Sequence, residues 1–226
     1  MSVEYTVVSI GTLSMNRLWG ESTPLRTAHA TTTLITARDR LILVDPSLPA
    51  TALDARLFER TGKRLADVTD VFCTTLRPVH RRSLEALGQA RWWAGQAEIE
   101  ALGQQFVQTG HTQQRLEGDE ARLIELELRL LGRIKPCPDE LVPQVQLYPL
   151  PGPSAGSAGL LLTSPTTAVI IAGDAALTAE HVQRGQVWEG CVDAESAIES
   201  LRDMMEIADV IVPGHDNVML IPGRLF

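Results

Sequence analysis

The chain has 226 residues, a net charge of −8 and an apolar fraction of 44%. This size suits one domain with a buried core, and the apolar fraction excludes intrinsic disorder. The acidic balance argues against nonspecific nucleic-acid binding, and no apolar run approaches the ~18 residues needed to cross a bilayer. Three cysteines without close spacing predict free thiols and hence a reducing, cytoplasmic location.

The hydrophobic pattern alternates between strands and helices along the chain. Strands are predicted at Tyr5–Ile10, Thr31–Ile35, Leu41–Val44, Val68–Thr74, Val145–Leu150, Gly159–Thr163, Val169–Ala172 and Val210–Val212. Helices are predicted at Thr51–Arg60, Ser83–Leu87, Glu98–Gln105 and Ala194–Ile207. Arg122–Leu130 fits both periods, and its Glu, Leu and Arg content favours a helix.

Two local features refine this pattern. The two prolines of Lys135–Asp139 predict a loop, and Phe58 is predicted to face the core with Leu53 and Leu57. The strands fall into two groups, residues 1–75 and 145–212, each with helices around it. This arrangement predicts an α/β sandwich of two packed sheets.

Acidic or imidazole residues follow four of the predicted strands. Asp45, His80, Asp174 and His215 lie at or beyond strand ends, where a rigid strand fixes a loop residue. Each residue alone is explained by a turn, because Asp after a strand often bonds the next backbone N–H. The four together indicate one shared site.

Five segments resemble the metallo-β-lactamase superfamily in order and spacing. They are LILVDPSLP, VTDVFCTTLRPVH, LYPLPGPSAGSAGLLL, AVIIAGDAAL and ADVIVPGHDNV. They are similar, in turn, to the segments with the first conserved Asp, the His-x-His-x-Asp-His motif, the third metal-binding His, the bridging Asp and the final Pro-Gly-His. The resemblance implies one αββα domain over residues 1–226 that hydrolyses esters, lactones, thioesters, amides or phosphodiesters with one or two metal ions.

The chain departs from this motif at the metal ligands. Thr75, Arg77 and Pro153 stand at the three histidine positions of the first metal site. Pro and Arg side chains do not ligate zinc, and a Thr hydroxyl is a poor ligand. In the second site Val79 replaces the Asp.

Three of the second site's ligands remain at matching positions, namely His80, Asp174 and His215. The resemblance thus implies at most one divalent ion, Zn, Fe or Mn, and a metal-free site is the other expectation. Asp45 is expected in the surrounding pocket with the residues at the lost ligand positions.

Arg77 carries a permanent positive charge toward the lost first metal site. It is predicted to pair with Asp174 in place of that metal; the alternative is that it points into solvent. Arg81 and Arg82 are predicted to begin a helix beside it, so the three arginines form a candidate site for a carboxylate or phosphate. The alternative is a group of solvated arginines near Glu85.

Three functions stay open at this point. The first is a catalytically impaired or metal-free protein that binds a small anionic ligand in the old pocket. The second is a mononuclear hydrolase of an ester, lactone or thioester, and the third is a non-catalytic interaction subunit. A homodimer is compatible with the sequence. The other histidines, His29, His111 and His181, belong to no pattern, although His181 follows the Asp174 strand closely enough to line the pocket.

Overall fold

The computed structural model describes residues 3–112 and 119–221, which form two mixed sheets. The first sheet has the spatial order β1 (Glu4–Ser9), β2 (Thr32–Ala37), β3 (Arg40–Val44), β4 (Asp70–Phe72), β5 (Arg91–Ala94) and β6 (Ile134–Pro136). In the second sheet the order runs from β12 (Met219–Leu220) through β11 (Val210–Pro213), β10 (Ala168–Gly173), β9 (Ala158–Thr163) and β8 (Val145–Pro149) to β7 (Glu140–Val142). Strands β3 to β6 are parallel, as are β10 and β11.

Helices cover the outer face of each sheet. They are α1 (Ala50–Thr61), α2 (Gln96–Thr112), α3 (Asp119–Leu131), α4 (Ala179–Gln183) and α5 (Ala194–Ile207). The predicted helix over Arg122–Leu130 is therefore confirmed as part of α3. None of the described helices combines the length and apolarity that a bilayer crossing requires.

Successive side chains of a strand point to opposite faces of its sheet, and this alternation forms the apolar layers of the core. On β3, Ile42 and Val44 face the second sheet, whereas Leu43 packs under α1 with Leu53 and Leu57. Strand β10 alternates in the same way, because its odd-numbered residues join the inter-sheet core and its even-numbered residues pack with α4 and α5. Three apolar layers between four layers of elements make an αββα sandwich, as predicted.

A buried carboxylate holds the end of the first sheet at which β3 to β6 begin. The Asp70 side chain is fully buried and bonds Arg40 Nε at 2.5 Å and Trp93 Nε1 at 2.8 Å. Arg91 Nε lies 3.0 Å from the same carboxylate, and Thr69 donates its hydroxyl. One acidic residue therefore links β3, β4 and β5.

Several local predictions were wrong. The Lys135–Asp139 segment is not all loop, because Ile134–Pro136 forms the edge strand β6, and β7 follows it. Phe58 is 49% exposed and stacks against Arg64 instead of entering the core. The helix predicted at Ser83–Leu87 is confirmed only in part, because Leu84–Leu87 forms a 3₁₀ helix and not an α-helix.

Candidate functional site

Four acidic or imidazole side chains meet where strands of both sheets end. Asp45 directly follows β3 and Asp174 directly follows β10, while His215 lies two residues after β11. His80 lies in the turns beyond β4. Since β3 runs parallel to β4 and β10 to β11, the carboxyl ends of each pair reach the same edge. The four residues found by position in the sequence are thus neighbours.

Asp174 stands between the two histidines. Its Oδ1 lies 3.1 Å from His80 Nε2 and 3.2 Å from His215 Nε2. One ligand atom from each of the three residues lies within 4.8 Å of the others. All three side chains are buried, His80 completely. They form a compact cluster with two nitrogen donors and one carboxylate.

Asp45 orients His80 from the side away from Asp174. Its Oδ2 lies 3.0 Å from His80 Nδ1, while its Oδ1 accepts the backbone N–H of Thr74 at 2.8 Å. The Thr74 hydroxyl also donates to Asp45, at 2.6 Å. Asp45 itself has a φ of +50°, a left-handed conformation that is costly for a non-glycine residue and recurs at functional sites.

His215 is fixed through its Nδ1 by main chain. That nitrogen lies 3.0 Å from the His29 carbonyl oxygen and 3.2 Å from that of Thr12. A carbonyl only accepts, so Nδ1 carries a hydrogen and Nε2 faces Asp174. Both histidines therefore present Nε2 to the carboxylate, with Nδ1 held by an acceptor, as metal-ligating histidines usually do.

Close packing brings the two sheets together beside this cluster. Gly173 precedes Asp174 with a φ of +56°, and a Cβ there would come within 2.2 Å of Thr74 Oγ1. Only glycine fits such an approach, because any side chain would push the Thr74 loop away. The residue thus lets the Asp174 end of β10 contact the loop that holds Asp45.

Electrostatics favours a charged His80 in the protein without a metal. Burial by itself lowers the pKa of His80, but the carboxylates of Asp174 and Asp45 outweigh it and raise that pKa to about 10. In turn His80 and His215 hold the pKa of Asp174 well below its ordinary value, against the opposing effect of burial. Near neutral pH, His80 and Asp174 therefore form an internal ion pair.

Arg77 bonds the second oxygen of Asp174, the one that is not in contact with His80 or His215 in the ion-pair geometry. Its Nη1 lies 2.6 Å from Asp174 Oδ2, and its Nη2 donates to the Pro153 carbonyl. The guanidinium carbon lies 4.1 Å from the centroid of the Trp188 ring. The predicted Arg77–Asp174 contact is confirmed, and the alternative that Arg77 points into solvent is wrong.

A buried glutamate that the sequence did not single out organises the same region. Glu98 lies in the first turn of α2 and accepts four hydrogen bonds from two loops. Its donors are Thr75 Oγ1, Leu76 N, Ser154 Oγ and Gly156 N, at 2.8, 2.8, 2.6 and 3.2 Å. These loops carry all three residues that stand at first-site ligand positions. Glu98 therefore joins the loops on which Arg77 depends.

The Glu98→Gln variant is expected to lose about 1.5–3 kcal/mol of unfolding free energy, because an amide nitrogen cannot accept hydrogen bonds. Chemical denaturation measures the loss. Glu100→Gln is the matched control, since Glu100 is an exposed residue of the same helix. Equal stability of both variants would contradict the role assigned to Glu98.

The other two arginines of the candidate anion site lie apart from Asp174. Arg81 is buried and pairs with Glu127 at 2.7 Å, and Arg82 is exposed with one long bond to the Ala28 carbonyl. Both precede the 3₁₀ turn Leu84–Leu87, so the prediction that they begin a helix was wrong. A four-residue 3₁₀ turn has no helix dipole of useful size.

The remaining predicted positions contribute no metal ligand. Val79 is half-buried, with an apolar side chain at the place of the missing Asp. Among the other histidines, His29 is bonded to the Ile10 carbonyl, and His181 lies on α4. The side chain of His111 lies outside the described residues.

These residues fit one metal ion and not two. The first site offers a hydroxyl, a guanidinium and a proline, none of which is a good ligand. The second site offers two Nε2 atoms and one carboxylate oxygen, which is the ligand count of a catalytic zinc site with an open position. At that second site, a metal ion would compete with the proton of the charged His80, which is paired with Asp45 and Asp174.

Comparisons with known proteins bear on the fold. No family model and no curated protein sequence matches the chain. A Thermotoga maritima protein assigned as a metallo-β-lactamase superposes with a TM-score of 0.69 and 16% identity, covering 97% of this chain and 100% of that one.

Two further solved structures superpose nearly as well. A variant of AiiA from B. thuringiensis, with N-decanoyl-L-homoserine at its active site, has a TM-score of 0.64 and 21% identity over 96% of this chain and 94% of its own. The hydrolase AbOPH, of the β-lactamase superfamily, has a TM-score of 0.64 and 13% identity over 98% of this chain and 91% of its own. The chain therefore has the metallo-β-lactamase fold.

Proposed function

We propose that this chain is a metallo-β-lactamase-fold protein whose two-metal centre is replaced by an internal ion-pair network, and that it binds a small anionic ligand instead of hydrolysing one. The observation that carries the proposal is the 2.6 Å bond between Arg77 Nη1 and Asp174 Oδ2. Asp174 matches the bridging carboxylate of the two-metal motif. In this chain the Arg77 guanidinium already neutralises Asp174 Oδ2.

The positive charges of the site come from the chain itself. Arg77 and the charged His80 face the buried carboxylates Asp174 and Asp45, so two cations balance two anions without a metal. A divalent ion entering among them would meet the Arg77 charge at close range. It would also have to displace a proton from His80. Both costs lower the affinity for metal.

A cavity of about 570 Å³ beside Arg77 offers room for the ligand. Its walls include Leu76, Leu102 and Val192, together with Arg77, the Arg81–Glu127 ion pair and the hydrogen-bonded Glu98. The two bonds that Arg77 makes leave further N–H groups of its guanidinium for an incoming oxygen. Arg77 is therefore the group that would bind a small carboxylate or phosphate, with the apolar walls around the rest of the ligand.

A mononuclear hydrolase is the second candidate, and the orientation of the two histidines favours it. His80 and His215 both present Nε2 toward Asp174, and these donor atoms are close enough for one ion. When bound, such an ion would supply a Lewis acid and a water of lowered pKa for attack on an ester, lactone or thioester. Val79 provides no carboxylate to position that water.

Metal content tests the two candidates. Purified protein incubated with Zn²⁺, Fe²⁺ or Mn²⁺ and then desalted is expected to retain far less than one ion per chain. The Arg77→Ala variant is expected to bind Zn²⁺ at least tenfold more tightly, because ~1.4 kcal/mol of removed repulsion corresponds to a factor of ten. Elemental analysis and zinc titration measure both quantities.

Arg82→Ala is the matched control, because it removes an exposed arginine that does not contact Asp174 and should leave zinc affinity unchanged. Retention of one ion per chain by the unaltered protein, with loss of that ion in His215→Ala, would overturn the metal-free proposal. That result would establish the ligand set of the mononuclear candidate. A panel of ester, lactone and thioester substrates would then be the next measurement.

A further inference from the structure

A second cavity, of about 440 Å³, has the Trp188 ring in its wall. Its apolar wall is built by side chains that are each only partly buried, namely Leu13, Met15, Leu18, Val187, Trp188 and Ile198. They come from three separate stretches of the chain, so the cavity is formed by the tertiary fold. Its volume lies within the range of small-molecule sites, roughly 300–1,000 Å³.

One buried polar side chain lines this cavity and has an unused donor. His181, on α4, is 8% exposed. The Thr178 hydroxyl accepts the backbone N–H of His181 and lies 2.7 Å from its Nδ1. The hydroxyl has no other acceptor among the described residues, so we assign its proton to this bond, with Nδ1 as the acceptor. A neutral ring whose Nδ1 accepts must carry its hydrogen on Nε2. That Nε2–H has no hydrogen-bond partner among the described residues.

The charge around the cavity is balanced. Arg17 and Glu189 form an exposed ion pair in its lining, 2.7 Å apart. Burial lowers the pKa of His181, so the ring is neutral near pH 7. An occupant with a net charge would find no compensating charge here. An uncharged occupant with one acceptor oxygen would satisfy the His181 donor and bury the apolar wall.

We propose that this cavity is a binding site for an uncharged apolar molecule with a single carbonyl group, whose oxygen accepts the His181 Nε2–H. The site is separate from the anionic site at Arg77, because the linings of the two cavities have no residue in common; Trp188, which lines this cavity, contacts the Arg77 guanidinium. Its occupancy does not depend on whether the Arg77 site binds an anion or a metal.

Octanamide is a suitable probe, followed by NMR of protein with ¹⁵N-labelled histidine. Binding is expected to shift the His181 Nε2 resonance. The affinity for octanamide should be about fourfold higher than that for heptanamide, because octanamide buries one more methylene group. His181→Phe keeps a ring but removes the donor, and should weaken octanamide binding about fivefold. Isothermal titration calorimetry measures this difference, because the variant lacks the His181 resonance. Octanoate, which carries a charge, should not shift this resonance.

Ile198→Trp fills the cavity and should abolish binding, whereas Ile207→Trp alters an exposed position of the same helix and should not. Circular dichroism and the denaturation midpoint establish that each variant is folded. Octanamide binding that is unchanged in both His181→Phe and Ile198→Trp would overturn the proposal. An equal shift of the His181 resonance by octanoate would overturn it as well.

Discussion

Asp174→Ala is expected to lower the unfolding free energy by about 3–5 kcal/mol, the usual cost of breaking a buried ion pair by removing one partner. The Asp174 side chain is only 4% exposed, and it contacts Arg77, His80 and His215. Alanine would leave a guanidinium and an imidazole without their shared acceptor. Urea denaturation at pH 7, with metal-free buffer, measures the difference.

Asp203→Ala serves as the control, because Asp203 is exposed on α5 and should cost little. Asp174→Asn separates charge from volume, since an amide keeps the size of the side chain but not its charge. It should cost nearly as much as alanine. A loss below 1 kcal/mol in both Asp174 variants would contradict the network as a major source of stability.

Asp70→Asn is expected to cost a similar amount, about 3–5 kcal/mol, at the opposite end of the first sheet. Burial favours a raised pKa for Asp70, but hydrogen bonds from Arg40, Trp93 and Thr69 outweigh it and hold the pKa below its ordinary value. The charged form is therefore the one that the fold stabilises.

This shift fixes the sign of a pH dependence. A carboxyl with a depressed pKa in the folded state contributes stability above its unfolded pKa, near 3.9, and loses it as pH falls through the folded pKa. The stability difference between the unaltered protein and Asp70→Asn should stay constant from about pH 8 to 5 and shrink below about pH 4. Denaturation midpoints across this range measure it. A difference that grows on acidification would contradict the assignment.

The sequence was enough to find the four acidic and imidazole residues of the candidate site, because each of them follows a strand. Asp45, Asp174 and His215 each come after an apolar run that predicts a strand. Parallel strands bring the residues at their ends together. The Arg77–Asp174 contact was predicted from one substitution at a motif position. Glu98 was not, because its donors lie 22 to 58 residues away and nothing local marks a buried glutamate.

The missed strands share a physical cause. β5, β6, β7 and β12 have two to four residues each, too few for an alternating pattern to emerge. Pro136 also ends β6, which is tolerated because β6 lies at the sheet edge, where an N–H is not needed on the outer side. Longer strands, such as β2 and β10, were predicted nearly to their observed bounds.

A positive charge that belongs to a side chain differs from a bound metal ion, because its presence does not depend on the concentration of free metal. A metal ion stabilises a fold by mass action, so its contribution disappears under chelation or scarcity. The guanidinium of Arg77 is attached to the backbone and held by Asp174, Pro153 and Trp188, so its occupancy is fixed at one per chain. If Arg77 takes the place of a metal as proposed, the stability of the fold is expected to be the same with and without zinc.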